Sequence, residues 1–335
     1  MGEAGALLVL VPNWLGDAVM ALPAIADLKR HFADRRLIVA ARSSVSSLFT
    51  MARDVDEVIA ADMITVRQAA PEIAVLFPNS FAGAWLVWRA SVPQRWGYAA
   101  DLRTRLLTRA IRRPKQAMHQ GAYYQHLVSE LGIANGPLEP HLDIPEDVLE
   151  AARSLLRGHG WSDGRLLVVL APGAAYGKAK QWIPSYVTQL ISNLVRERAM
   201  SCALVGSRGD AETTRAIRDA APIELQPAIY DLAGATTLPV LAAVIAMAAV
   251  CVSNDSGAMH LAAAAGVPVV GIFGPTNEKA TSPLAHRGVP TDILTNQVWC
   301  RPCMLRECPI DHRCMTGIEP ARVLAAVDRV ARMPA

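Results

Sequence analysis

The sequence predicts an α/β protein of two halves, each a parallel sheet covered on both faces by helices, with a cleft between them. Three observations predict it. Short, continuous apolar runs alternate with helical patterns along the chain, as strands buried on both faces require. The text GPLEPHLDIP at 136–145 carries three prolines and reads as a connector. Beyond it the strand–helix cycle starts again, and 335 residues suffice for two domains.

In the first half, strands are expected at 7–11, 37–41, 58–60 and 73–77, with an amphipathic helix over 17–31. After the connector comes a helix at 146–158. Strands follow at 166–171, 202–205, 250–253 and 268–273, with helical segments between them. A last helix, about 319–332, is expected to cross back onto the first half. The division is therefore 1–160, 161–318 and a final segment 319–335.

Composition narrows the function classes. Hydrophobic residues make up 52% and charged ones 19%, which excludes a disordered chain. A net charge of +3 gives no reason to expect nucleic acid as a partner. The most apolar segment beyond the N-terminus, 238–252, has 15 residues, fewer than the ~20 that span a bilayer. The first residues carry an acid where a signal peptide would be basic and their apolar run is short, so the expectation is a cytoplasmic protein. Cys202 and Cys251 sit in apolar runs and read as inert core residues.

Three places can carry chemistry. The first is SNDSGAMHLAAAAG, 253–266, followed by PVVGIFGPT. Asp255 or Ser256 would cap a helix that Gly266 stops. The amides near Ser256 and Gly257 would then point past a strand end, where the helix dipole favours an anion. His260 lies four residues after Ser256, on the same face. A well-capped core helix would read the same way. The adjoining strand-to-turn with Gly274 and Thr276 favours a phosphate site, since ligands of open α/β sheets bind beyond the carboxyl ends of strands.

The second is VLVPNWLGDAVMALPAI, 9–25, where Asp17 follows the first strand. An aspartate there is often only a helix cap, yet a carboxylate so placed is also suited to act as general base on an incoming hydroxyl. It is expected to face Ser256 across the cleft. The absence of GxGxxG at this turn argues against a dinucleotide-dependent oxidoreductase. The third is LAPGAAYGKAKQW, 170–182, with GSRGDAE at 206–212. A lysine held at this strand end would neutralise a diphosphate, and Glu212 would accept ribose hydroxyls. Solvated surface charge is the plain alternative for each.

These residues resemble those of the ADP-heptose:lipopolysaccharide heptosyltransferases. NWLGDAVMALPAI, APGAAYGKAKQW, VGSRGDAE, LAGATTL and SNDSGAMHLAAAAGVPVVGIFGPT carry the similarity from the first strand to the C-terminal helix. The resemblance implies a GT-B fold of two Rossmann-like domains, with acceptor binding in 1–160 and ADP-sugar binding in 161–318. It implies inverting transfer of L-glycero-D-manno-heptose from ADP-heptose to the first heptose of the lipopolysaccharide inner core, on a heptosyl-Kdo2-lipid A acceptor. No cofactor or metal is expected for the chemistry. Asp17 would be the base and Lys180 the diphosphate ligand. Glu212 and Asp255 would hold the adenosine ribose. Ser256, Gly257 and His260 would line the phosphates, with Gly274 and Thr276 beside them. Related chains carry hydroxyl residues where this one has Gly173, Ala174 and Ala175, so Tyr176 or backbone amides would take over there. Other acceptors within the family, including proteins, and a non-catalytic nucleotide-sugar binder are the competing readings.

For the acceptor side, eight Arg/Lys residues face one acid, Asp101, between Arg89 and Lys115. A solvated basic face is the usual meaning of such a run. An anionic lipid-linked acceptor at the inner face of the inner membrane gives it a purpose. Asn13, Trp14, Arg103, Arg105 and Arg109 are the residues expected to serve it. Finally, CRPCMLRECPIDHRC sets Cys300, Cys303, Cys308 and Cys314 around His312. A cytoplasmic disulfide is not expected, and the spacing differs from the paired CxxC of a zinc ribbon. The four cysteines stand only as a candidate structural metal set.

Overall fold

The computed structural model describes residues 5–331 and divides into two compact units, one ending at Asp143 and one beginning at Ile144. The first unit starts β1 (Leu7–Leu10), α1 (Leu15–Met20), α2 (Leu22–His31), β2 (Leu37–Ala41), β3 (Glu57–Ala60) and α3 (Met63–Ala69). It continues β4 (Ile73–Leu76), α4 (Phe81–Arg89), β5 (Gln94–Tyr98), β6 (Arg109–Ile111) and α5 (Gln120–Glu130). The sheet is parallel, in the order β3-β2-β1-β4-β5-β6. Leu8, Leu10, Ile38, Ala40, Ala74 and Leu76 meet Val66, Ala84 and Val87 of α3 and α4 in one core layer. Strand residues of the other parity, such as Val9, Val39 and Val75, are equally buried, so both faces are covered.

The second unit begins α6 (Glu146–Gly158), β7 (Leu167–Ala171), α7 (Pro184–Arg198), β8 (Ser201–Leu204), α8 (Ala211–Asp219) and β9 (Ile229–Asp231). It then runs α9 (Leu238–Ala246), β10 (Val250–Asn254), α10 (Gly257–Ala264), β11 (Val269–Phe273), α11 (Glu278–Thr281) and β12 (Thr291–Thr295). Two helices, α12 (Arg313–Thr316) and α13 (Pro320–Val330), complete it. The order β12-β11-β10-β7-β8-β9 repeats the first sheet's winding, its central pair formed by the unit's first and fourth strands. In both units the chain winds outward in opposite directions from that pair. This is the doubly wound α/β architecture expected, and its switch points are where such sheets bind ligands.

Three differences from expectation have clear causes. The 17–31 helix is two helices broken at Ala21, because Pro23 in the first turn of α2 cannot donate to a preceding turn. The unit boundary falls at 143/144, earlier than 160, because α6 packs on α9 of the second unit. The C-terminal helix, expected on the first half, lies on its own unit. Val323, Leu324, Val327 and Val330 form an apolar stripe against the α7 core. Arg198 pairs bidentately with Asp328 at 2.8 Å, and Trp182 Nε1 donates to Ile318 O at 2.8 Å. The first four residues and Arg332, the expected helix end, lie outside the described residues. Cys202 and Cys251 are fully buried, and burial pushes both thiols up to about 12.

Candidate active site

The switch point of the second unit separates the loop after β7 from the turn after β10, and Asn254 ties the two together. Its Nδ2 donates to Pro172 O at 2.6 Å, and its Oδ1 accepts from Trp182 N at 3.2 Å. Asp255 follows, only 6% exposed. Its Oδ2 lies 2.6 Å from Lys180 Nζ and accepts from Thr276 Oγ1 at 2.7 Å. Thr281 Oγ1 donates to Oδ1 at 3.5 Å. Three donors, Lys180 and two threonines, thus already converge on the carboxylate expected to serve a ribose. Asp255 is a strut that joins the lysine loop to the turn after β11.

Next to this strut, α10 begins at Gly257. Ser256 is its N-cap residue, but its side chain makes no capping bond and instead meets Ser253 Oγ at 3.0 Å. Met259 N donates back to Ser256 O at 3.2 Å, and the amides of Gly257 and Ala258 at the helix's positive end are not capped by the Ser256 hydroxyl. His260, one turn on, is buried among the alanines. Gly266 stops the helix at φ +71° as expected.

The segment carrying the four cysteines wraps this site. Arg301, its side chain 3% exposed, donates to Gly274 O at 2.7 Å and Thr276 O at 3.0 Å and pairs with Glu278 at 2.8 Å. Gly274 packs against Met315, whose thioether a side chain there would have to displace. On the lysine side, Ala179 N donates to Arg306 O at 2.9 Å, and His312 Nε2 meets Ala179 O at 2.6 Å. Tyr176 donates to Met304 O at 2.8 Å. Lys180 Nζ and the Arg306 guanidinium lie 4.8 and 5.3 Å from the Tyr176 ring. Burial raises the Cys314 thiol, with Cys308, Cys300 and Cys303 adding to the effect. Among the described residues no three His, Cys, Asp or Glu side chains are placed to hold a metal ion; backbone and arginine bonds hold the segment against the site.

The remaining second-unit candidate, Glu212, is exposed in the first turn of α8. Its neighbour Asp210 forms the capping box with Ser207, at 2.8 Å to the amide and 2.7 Å to the hydroxyl. A side chain at Gly173 would run into the Asp210 carboxylate that this capping box fixes.

In the first unit, α1 leaves β1 at the equivalent switch point. Trp14 is its N-cap residue, so Asp17 sits inside the first turn rather than capping it. Tyr124 of α5 donates its hydroxyl to Asp17 Oδ1 at 3.2 Å. Burial, with the Asp17 charge next, drives the Tyr124 pKa well above its usual 10, so the phenol remains a donor. Asn13 and Trp14 are exposed beside it. The basic run does not act as one surface. Arg105 and Arg109 are exposed, Arg109 lying 5.6 Å over Trp96. Arg103, expected among them, is completely buried. It donates to Tyr98 O at 2.9 Å and to Pro78 O, and burial lowers its pKa to about 10. It is a structural residue that collects carbonyls at the β4–α4 corner. Sequence reasoning missed Tyr124, Asn254, Thr281 and Arg301. Asn254, inside the SNDSG motif, carried the one available signal.

Comparison with known proteins adds to this geometry. The family described as Glycosyltransferase family 9 (heptosyltransferase) matches residues 63–313. Lipopolysaccharide heptosyltransferase 2 of Salmonella typhimurium is 28% identical, covering 95% of this chain and 96% of its own. Lipooligosaccharide heptosyltransferase 2 of Campylobacter jejuni is 26% identical with the same coverage, 95% and 96%. The solved structure of E. coli ADP-heptose lps heptosyltransferase II is similar at a TM-score of 0.83 and 26% identity, covering 97% of this chain and 98% of that one.

Proposed function

Since the chain belongs to glycosyltransferase family 9, the heptosyltransferases, we propose that it is a heptosyltransferase II. It transfers L-glycero-D-manno-heptose from ADP-heptose to the first heptose of the lipopolysaccharide inner core, with inversion. The observation that carries the site assignment is the Lys180–Asp255–Thr276 strut beside the start of α10, at the switch point of the second sheet. A diphosphate at that point meets a lysine ammonium and the uncapped amides of a helix N-terminus. Ser256 and His260 border it, and Glu212 serves the ribose. Asp255 supports it by orienting Lys180 rather than by touching the nucleoside.

The chemistry follows from charge. As the bond between the heptose anomeric carbon and the diphosphate oxygen breaks, negative charge grows on ADP. Lys180 and the helix dipole stabilise it where it develops. The acceptor hydroxyl attacks from the opposite face, and Asp17 of the first unit takes its proton. The Tyr124 hydroxyl fixes the Asp17 carboxylate before the reaction. No described helix is long and apolar enough to cross a membrane. We place the enzyme at the cytoplasmic face of the inner membrane, reaching a lipid-linked acceptor peripherally. The test is a panel of defined acceptors with ADP-heptose. Heptosyl-Kdo2-lipid A should gain one heptose. Transfer to Kdo2-lipid A instead, or no transfer to any acceptor, would overturn the assignment.

A further inference from the structure

We propose that the outer face of α4 is the surface by which the first unit docks on an anionic lipid bilayer. The inference rests on the lipid-linked acceptor of the reading above and names the face that meets the lipid. Helix α4 reads FAGAWLVWR and is apolar on both sides. Gly83, Ala84 and Val87 are buried against the sheet, which leaves Phe81, Trp85 and Trp88 at i, i+4 and i+7 on the outside. They are 46%, 42% and 43% exposed. Their rings stack into a ladder, with centroids 6.1 Å apart for Phe81–Trp85 and 4.9 Å for Trp85–Trp88. Leu102, 95% exposed, lies in the turn just before the short 3₁₀ segment Thr104–Leu106 that packs on α4. A water-soluble surface rarely carries so large a contiguous apolar patch without a partner.

The chemistry of the patch selects the partner. Two tryptophans and a phenylalanine with arginines around them are the composition of an interfacial helix, since indole rings settle at headgroup depth. Arg89 lies 5.8 Å over Trp85, and Arg105 is exposed on the adjoining 3₁₀ segment. Arg89 and Arg95 line a surface cleft with Trp88 at the end of the helix. Asp101 is the single acid between Arg89 and Lys115. Positive charge of this density complements an anionic headgroup layer, each basic residue contributing about fivefold to partitioning. Hydrophobic insertion supplies the rest. Burial of Arg103 takes the most central arginine of the run out of this role.

The test is co-sedimentation of the whole protein with phosphatidylcholine vesicles, with and without equimolar phosphatidylglycerol, in the absence of donor and acceptor. Binding should require the anionic lipid, shift tryptophan emission to the blue and weaken with salt. Trp85→Ser with Trp88→Ser should lower partitioning at least about tenfold, because two indoles leave the interface. ADP binding by the same variant should be unchanged, which shows an intact fold. No vesicle binding by the wild type would overturn the proposal, as would binding that the double variant retains. A dimer seen by light scattering that the double variant dissociates, without vesicle binding, would give the face to a second copy instead. Because no transfer is measured, these results are independent of whether the acceptor panel succeeds.

Discussion

Replacing Lys180 with methionine tests the core of the donor site. The ammonium lies 2.6 Å from Asp255 Oδ2, with side chains 14% and 6% exposed. Removing one partner of a buried pair costs about 3–5 kcal/mol when the other is stranded. Here Thr276 still donates to the same oxygen at 2.7 Å, so the loss should fall to about 2–3 kcal/mol. That predicts a melting temperature lower by about 4–12 °C, at about 2–4 °C per kcal/mol. The catalytic loss is separate. A charge-assisted bond to the departing diphosphate is worth about 1.5–3 kcal/mol, so kcat/KM for ADP-heptose should fall about 10- to 150-fold. Lys180→Arg should recover much of both. The assays are thermal unfolding and steady-state kinetics with varied donor. If Lys180→Met turns over ADP-heptose at the wild-type rate and melts at the wild-type temperature, the strut has neither role.

Arg301→Ala should raise the donor KM several-fold while acceptor KM stays fixed, because the Gly274–Thr276 turn loses its two carbonyl anchors; Arg301→Lys should rescue part of it. Equal changes in both constants would contradict this. Arg103→Met should cost on the order of 3 kcal/mol of stability through orphaned carbonyls, with no specific effect on acceptor KM in the folded fraction. A normal unfolding midpoint with a raised acceptor KM would return Arg103 to the acceptor site. In alkali, Cys202, Cys251, Tyr98 and Tyr124 all have folded pKa values above their unfolded ones. The contribution of the cysteines is complete below pH ~9 and that of the tyrosines below pH ~10, and each is lost as pH rises beyond, by up to ~1.4 kcal/mol per pH unit. Urea unfolding midpoints should therefore fall steadily above pH ~9. A flat profile there would contradict the burial of these groups.

The central strands were legible because they are continuous apolar runs buried on both faces, and α6 because its apolar residues recur at helical spacing on an otherwise polar, exposed helix. Four strands were not. The sequences QRWGY of β5 and RAI of β6 are polar and half exposed, and β6, β9 and β12 are short or at sheet edges. A two-residue period cannot announce itself there. In the site, the glycines, Ser256 and Lys180 were readable as residue types at strand ends. The partnership of Lys180 with Asp255 was not, since 75 positions separate them. Arg103 shows the limit most clearly. A run of arginines looks like one solvated face, yet a single turn at Asp101 and Leu102 sends one of them into the core. In the cysteine segment nothing in the residue pattern signalled that Arg301 would anchor the Gly274–Thr276 turn through its carbonyls.

The most direct measurement pairs ADP titration with single-turnover transfer by Asp17→Asn. If Asp17 takes the acceptor proton and the second unit alone holds the donor nucleotide, the variant should bind ADP as the wild type does. Its transfer should fall by about 10²–10⁴. Turnover within tenfold of the wild type would remove Asp17 from the chemistry.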